Sequence, residues 1–397
     1  MNVKTVLISA IICVAQLHVN AQNQSTPISI PNYVKLLEDS ILSNQLITDL
    51  NSFMIAAQKA NEENEYVLPS QRIETNILID EFKGIERSRG FKDAHFYKPY
   101  LKNVIKLAEN QYLIQLSHIG VNDSIPYLRT SYNLIAHQEN GSFLFSSPLV
   151  LNTKDWKSKT IENCTFYYKK TLNTEEANSY VKRAAEFDAK LGSTNKTTKL
   201  YCAKNRTELL KLIGVDYKLD YNGRTSGVFS ALNGDEQLLV LGNDNEDFNH
   251  VDPHDLWHDR LSLVISRRKV NKPVDEGCAY LYGGSWGLSW DDIFNQFMNK
   301  IGSDKKSDWL FYKENSTNFV ANKRERLMVD YVVTALIIQK IEKEKGFSGV
   351  WQLLNAGPYE KGNENYFKVL NELLHINKKN YNKEVWKLIK QELEEGN

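Results

Sequence analysis

Apolar residues recur at helical spacing through residues 32–61, NYVKLLEDSILSNQLITDLNSFMIAAQKAN, which predicts one long helix or two joined ones. From about 91 to 150 the period shortens to two. Tyr112, Ile114 and Leu116 alternate with polar neighbours, and YLRTSYNLIA follows. Asn140-Gly141, between LIAHQE and SFLF, reads as the two-residue turn of a hairpin. A helix followed by an antiparallel meander makes a small α+β module with one covered sheet face. It holds no cluster of titratable residues, so no chemistry is assigned to it.

The polar segment LNTKDWKSKT at 151–160 places a domain boundary near 155/156, dividing the chain into 22–155 and 156–397. The second part opens with a strand CTFYYKK and a helix over 174–191, where Asn173 and Glu176 form a capping-box pattern. A strand KLYCA, a short helix RTELLKLI and two strands SGVFSAL and EQLLVLG around Asn233-Gly234 follow. From HDLWHDRLSLVI to KEVWKLIKQELEE the pattern is helical. The whole reads as α+β. There is no internal repeat, and Gly283-Gly284 alone does not make a phosphate-binding loop.

With 42% hydrophobic and 25% charged residues in 397, the composition is that of an ordinary globular chain of about two domains. Lys plus Arg and Asp plus Glu both number 49, so there is no electrostatic footprint for nucleic acid or an anionic membrane. Residues 1–21 read as a signal peptide: Lys4, the apolar run VLISAIICVAQL, then Val19-Asn20-Ala21. That predicts export to a periplasmic or extracellular space. No later segment is long and apolar enough to span a bilayer. An oxidising compartment permits a Cys164–Cys202 disulfide; the alternative is buried thiols, as is expected for Cys278.

The candidate chemistry lies in HVDPHDLWHDRL, 250–261, and KPVDEGCAYLYGG, 272–284. His254 and His258 are four apart on a predicted helix, which puts both imidazoles on one face. Glu276 follows eighteen residues after His258. Two His and one carboxylate make a three-ligand site with an open position, the catalytic rather than the structural zinc arrangement.

These two phrases resemble the zincin metallopeptidases, specifically the gluzincin and peptidase MA-like branch, whose pattern is His-Glu-x-x-His followed by a Glu in a Glu-Gly-x-Ala context. The resemblance covers the order of elements from about 160 to 300. It implies a zincin-like domain at 156–397 with a mixed sheet, a metal-binding helix and a mostly helical C-terminal part. It further implies Zn2+ held by His254, His258 and Glu276, and a peptide or protein substrate. Asp255 stands where the family has its general-base Glu. Asp is shorter by about 1.5 Å, and a misplacement of that order costs on the order of a hundredfold in rate.

Related enzymes supply a phenol from a downstream helix to stabilise an oxyanion, which points to Tyr331; core packing is the other reading of that residue. Asp259 either orients an imidazole or is a solvated helix residue. Asp275 is a substitute for Glu276 as ligand, and His250 a fourth ligand, though its loop predicts exposure. Tyr280 and Tyr282 line or support the site. Trp257, Trp286 and Trp290 form either one wall of a cleft or ordinary core. SGVFSAL or EQLLVLG is the expected edge strand beside an extended substrate. Two functions follow: an exported zinc metallopeptidase acting through a metal-activated water, or a catalytically impaired, zincin-like metal-binding or scaffolding protein. A two-domain binding module with an accidental His pair is a third.

Overall fold

The computed structural model describes residues 26–193, 197–320, 326–358 and 360–395. The segment read as a signal peptide lies outside them.

Helix α1, Ser40–Ala56, begins where Asp39 accepts hydrogen bonds from the Ile41 and Leu42 amides at 2.7 and 3.2 Å. It is shorter than the periodic run because this cap, and a turn closed by Val34 N donating to Pro31 O, stop it at Asp39. Helix α2, Arg72–Phe82, had no counterpart in the pattern. It is buried nearly all round, including Glu74, Thr75 and Asn76, which blurs its apolar period. Those polar groups are used: Lys199 Nζ donates to Glu74 at 2.8 Å and Asn76 Nδ2 to Leu232 O at 3.1 Å.

Strands β1 (Lys98–Ala108), β2 (Gln111–Asn122), β3 (Ile125–Glu139) and β4 (Ser142–Ser146) form an antiparallel meander in that order. Tyr112, Ile114 and Leu116 face the core. Asn140 and Gly141 close the β3–β4 hairpin at φ 53° and 83°, between paired Glu139 and Ser142. β5 (Lys157–Ile161) and β6 (Cys164–Tyr168) precede α3, Thr174–Leu191, capped by Asn173 accepting from Glu175 N and Glu176 N. Then come β7 (Thr197–Ala203), α4 (Arg206–Ile213), β8 (Val215–Lys218), β9 (Gly227–Asn233) and β10 (Glu236–Gly242). The second sheet is mixed, in order β5-β6-β7-β10-β9, with β7 parallel to both β6 and β10. Of the two candidates for the edge strand, β9 lies at the edge and β10 is interior.

The chain groups into two units: the described residues of Met1–Leu172 with Lys196–Asn249, and those of Asn173–Asn195 with His250–Asn397. The boundary read at 155/156 is corrected by this grouping. β8 pairs with β3, Lys218 opposite Thr130, and one core runs from Phe53, Phe82 and Tyr132 to Ala203, Leu238 and Val240. Both sheets therefore belong to the first unit, including the mixed sheet expected beside the metal-binding helix.

The second unit contains α3, α5 (Pro253–Val264), α6 (Lys272–Gly283), α7 (Trp290–Phe297), α8 (Trp309–Asn315), α9 (Val329–Lys345), α10 (Phe347–Leu354), α11 (Glu364–Leu374) and α12 (Tyr381–Glu395). No named strand falls in it among the described residues. α9 is its central element, with Val332, Val333, Ala335, Ile337 and Ile338 all buried, as a helix apolar all round must be. No helix of the described residues is long and apolar enough to cross a membrane. With segregated sheets and helices, the fold is α+β.

Candidate metal centre

Asp252 caps α5 by accepting from His254 N at 3.0 Å, with Pro253 at the first helical position. One turn apart, the His254 and His258 rings meet edge to face with centroids 4.8 Å apart, and their Nε2 atoms are separated by 3.2 Å. Glu276, on α6, brings Oε2 to 3.6 Å from His254 Nε2 and 3.7 Å from His258 Nε2. The nearest point equidistant from these three atoms, in their common plane, lies about 2.0 Å from each, the length of Zn–N and Zn–O bonds. The cluster could bind a metal ion.

The hydrogen bonds behind the rings fix which nitrogen faces inward. His254 Nδ1 lies 2.8 Å from Gly284 O and His258 Nδ1 2.8 Å from Asp275 Oδ1. A carbonyl and a carboxylate only accept, so Nδ1 donates in both rings and it is the Nε2 atoms that face each other and Glu276. Two imidazole Nε2 atoms and a carboxylate oxygen thus converge on one point, where either a proton or a metal ion satisfies them. Burial works to lower the His258 pKa, but the bond to Asp275 and the nearness of Glu276 push it up to about 9. Burial works to raise Glu276, but His254 and His258 hold it well below the usual carboxylate range. A metal ion competes with the proton held there.

Asp275 is buried, and besides His258 it accepts from Trp257 Nε1 at 3.2 Å and, through Oδ2, from Arg267 Nε at 2.8 Å. Of the roles considered for the neighbouring carboxylates, the orienting one falls to Asp275, not Asp259, and Asp275 is not a ligand. Asp259 is half-buried, its carboxyl pushed up to about 6 by burial and by Asp255. Arg267 also approaches Glu276, Nη2 to Oε1 at 3.5 Å. One Glu276 oxygen therefore faces a guanidinium while the other faces the imidazoles. Arg267→Ala is expected to weaken metal affinity about tenfold to a hundredfold, as loss of an orienting partner does, measured by competition with a chromophoric chelator. Unchanged affinity would show that Arg267 does not orient Glu276.

Asp255 is exposed on the first turn of α5. Its carboxyl is raised by the part of it screened from water and by Asp252, and drawn back by His254, His258 and Arg267. Tyr331, half-buried on α9, meets the Tyr280 ring edge-on at 5.5 Å. Burial and then the charge of Glu276 raise its phenol.

Tyr280 donates to Arg326 O at 3.2 Å, accepts from Met328 N at 3.3 Å and lies 5.8 Å from the His254 ring. It supports the site from behind. Tyr282 donates to Glu342 at 2.7 Å. The cleft wall of three tryptophans is corrected: Trp257 is fully buried against Phe187, Tyr282 and Phe347, and Trp290 donates to Glu392 on α12 at 2.7 Å. Trp286 alone of the three is exposed. His250 is exposed and outside the cluster. Cys164, Cys202 and Cys278 are buried and none is in a disulfide.

Three glycines complete the construction. A Cβ on Gly277 would lie 3.1–3.2 Å from Ile338, Thr334 and the Ala335 amide, so the residue after Glu276 lets α6 lie close to α9. A Cβ on Gly283 would meet Pro253 C at 2.5 Å and His254 N at 2.6 Å, so this glycine admits the start of α5. Gly284, at φ +74° with Leu288 O 2.0 Å from where a Cβ would stand, turns its carbonyl to His254 Nδ1. The double glycine in the sequence was the signal for this.

Comparison with protein-family models, curated proteins and solved structures finds no match for the chain.

Proposed function

We propose that the protein is a zinc-dependent hydrolase of peptide bonds, with His254, His258 and Glu276 as ligands and Asp255 as the base. What carries the reading is the convergence of two tautomer-fixed imidazoles and one carboxylate on a point about 2.0 Å from each. Two borderline nitrogen donors with a single carboxylate suit zinc better than calcium or magnesium, which take oxygen ligands. Three protein ligands leave a position for water and substrate. A zinc ion held there supplies a Lewis acid that polarises a carbonyl and acidifies water.

The chain's own groups do the rest. Asp255, ionised and open to solvent, accepts the proton of the attacking water. Tyr331 donates its hydroxyl toward the carbonyl oxygen as negative charge grows there. Asp275 and the Gly284 carbonyl keep His258 and His254 in the ligating tautomer. We place the activity outside the cytoplasm, on the export signal read at residues 1–21, and take the substrate to be a peptide or protein. Asp255 also motivates a second reading, a metal-binding protein without turnover, because its side chain is one carbon shorter than the glutamate of the family it resembles.

The test is cleavage of a mixed peptide library by the zinc-loaded chain. Asp255→Glu is expected to raise the rate by up to about a hundredfold, and Asp255→Asn and His254→Ala to abolish it. Cleavage only by the Glu variant favours the second reading. Cleavage by neither the parent nor Asp255→Glu removes the peptidase reading.

A further inference from the structure

Within the first unit, Arg206 opens α4 and is only 5% exposed. Its guanidinium lies 4.1 Å from the Tyr221 ring centroid and 5.4 Å from that of Phe229, and Nη1 donates to Ser226 O at 2.7 Å. Nε has no hydrogen-bond partner. Gly227 makes room for it, since a Cβ there would stand 2.3 Å from Nη1. Lys218 and the exposed Arg224 approach the same Tyr221 ring, at 5.2 and 5.9 Å.

The acids nearby are committed to other cations. Glu81 accepts from Lys218 Nζ at 2.5 Å and from the Tyr221 hydroxyl at 2.6 Å. Asp220 pairs with Arg129 at 2.8 Å. Glu208 pairs with Lys169 and accepts from Lys204 N. Lys218 is thus neutralised, and among the described residues neither Arg206 nor Arg224 has a carboxylate partner. A guanidinium keeps its charge at any physiological pH, and aromatic faces make up only part of the hydration that a buried one loses. The loop 223–227 with Arg206, Tyr221, Arg224 and Phe229 lines an open depression, so the surplus charge borders a space that a ligand can enter.

We propose that this depression binds an oxyanion, a phosphate or carboxylate group carried by a small ligand, with Arg206 as the buried anchor and Arg224 as its exposed partner. A guanidinium presents paired N–H donors that match two oxygens of such a group. Tyr221 and Phe229 offer apolar faces to the remainder of the ligand. This site is independent of the metal centre and of the activity proposed for it.

The experiment titrates the full chain, carrying His254→Ala so that the metal cluster takes no anion, with inorganic phosphate in one arm and acetate in the other. Ionic strength is matched with chloride, and binding is read by calorimetry and by the shift in Tm. Saturable binding of either anion is expected, and the arm that saturates at lower concentration identifies the group. Arg224→Gln is expected to weaken it about tenfold, the loss of one charge-assisted contact, and Arg206→Lys to weaken it further. Gly227→Ala is expected to abolish it by displacing the guanidinium. Because Arg224 is exposed, its variant folds even if the Arg206 variants do not. No saturable effect of either anion, or binding equal in the parent and Arg224→Gln, overturns the proposal.

Discussion

Asp275→Ala is expected to destabilise the second unit by about 3–5 kcal/mol, the range for removing one partner from a buried charged network. The side chain is buried and accepts from His258 Nδ1, Trp257 Nε1 and Arg267 Nε. Alanine leaves the first two of these donors inside the protein with nothing to accept them. The loss is read as a lower urea midpoint by tryptophan fluorescence, a suitable signal because every tryptophan except Trp156 lies in the second unit. Zinc affinity falls as well, because His258 loses the partner that holds its ligating tautomer. A variant with the parent's midpoint and affinity would mean that Asp275 is not the orienting carboxylate.

Lys313→Ala is expected to cost a similar amount, about 3–5 kcal/mol. Lys313 is buried, donates to Asp330 Oδ1 at 2.8 Å and lies 3.9 Å from the centroid of the Tyr366 ring. Burial works to lower its pKa, but Asp330 and Tyr366 together more than offset this, so the ammonium stays charged. Removing it strands Asp330 inside the start of α9, next to Tyr331. The paired change Lys313→Met with Asp330→Leu is expected to cost far less than the single one, since it removes both charges. A double variant as unstable as Lys313→Ala would show that packing, not charge pairing, dominates there.

Where periodicity was strong, the sequence showed the element: α3 with its Asn173 cap, the Asn140-Gly141 hairpin and the helices α5, α6 and α9 to α12 lie where the pattern put them, whereas the short α7 and α8 were not singled out. α2 was not legible, because Glu74, Thr75 and Asn76 are buried by partners on distant strands and so break the amphipathic period. The unit boundary was not legible either. β8 is a four-residue strand whose sheet is decided by pairing with β3, some 85 residues earlier, and no local signal carries that choice. In the site, the spacing of His254, His258 and Glu276 was enough to bring them together on paper. Their orienting partners were not, because whether Asp259 or Asp275 reaches an imidazole depends on how α6 lies against α5. Gly283 and Gly284 carried that information in the sequence, but only the close approach of Pro253 and His254 gives the pair its meaning.

The proposed chemistry depends on His254, His258 and Glu276 holding one zinc ion. The most direct test is elemental analysis of the chain purified without chelator, beside His254→Ala and Glu276→Ala. About one zinc per chain is expected in the parent and close to none in either variant, with the parent's Tm falling on chelation because bound metal contributes to stability. No zinc in the parent, and none retained after it is added back and the excess removed, would contradict the claim.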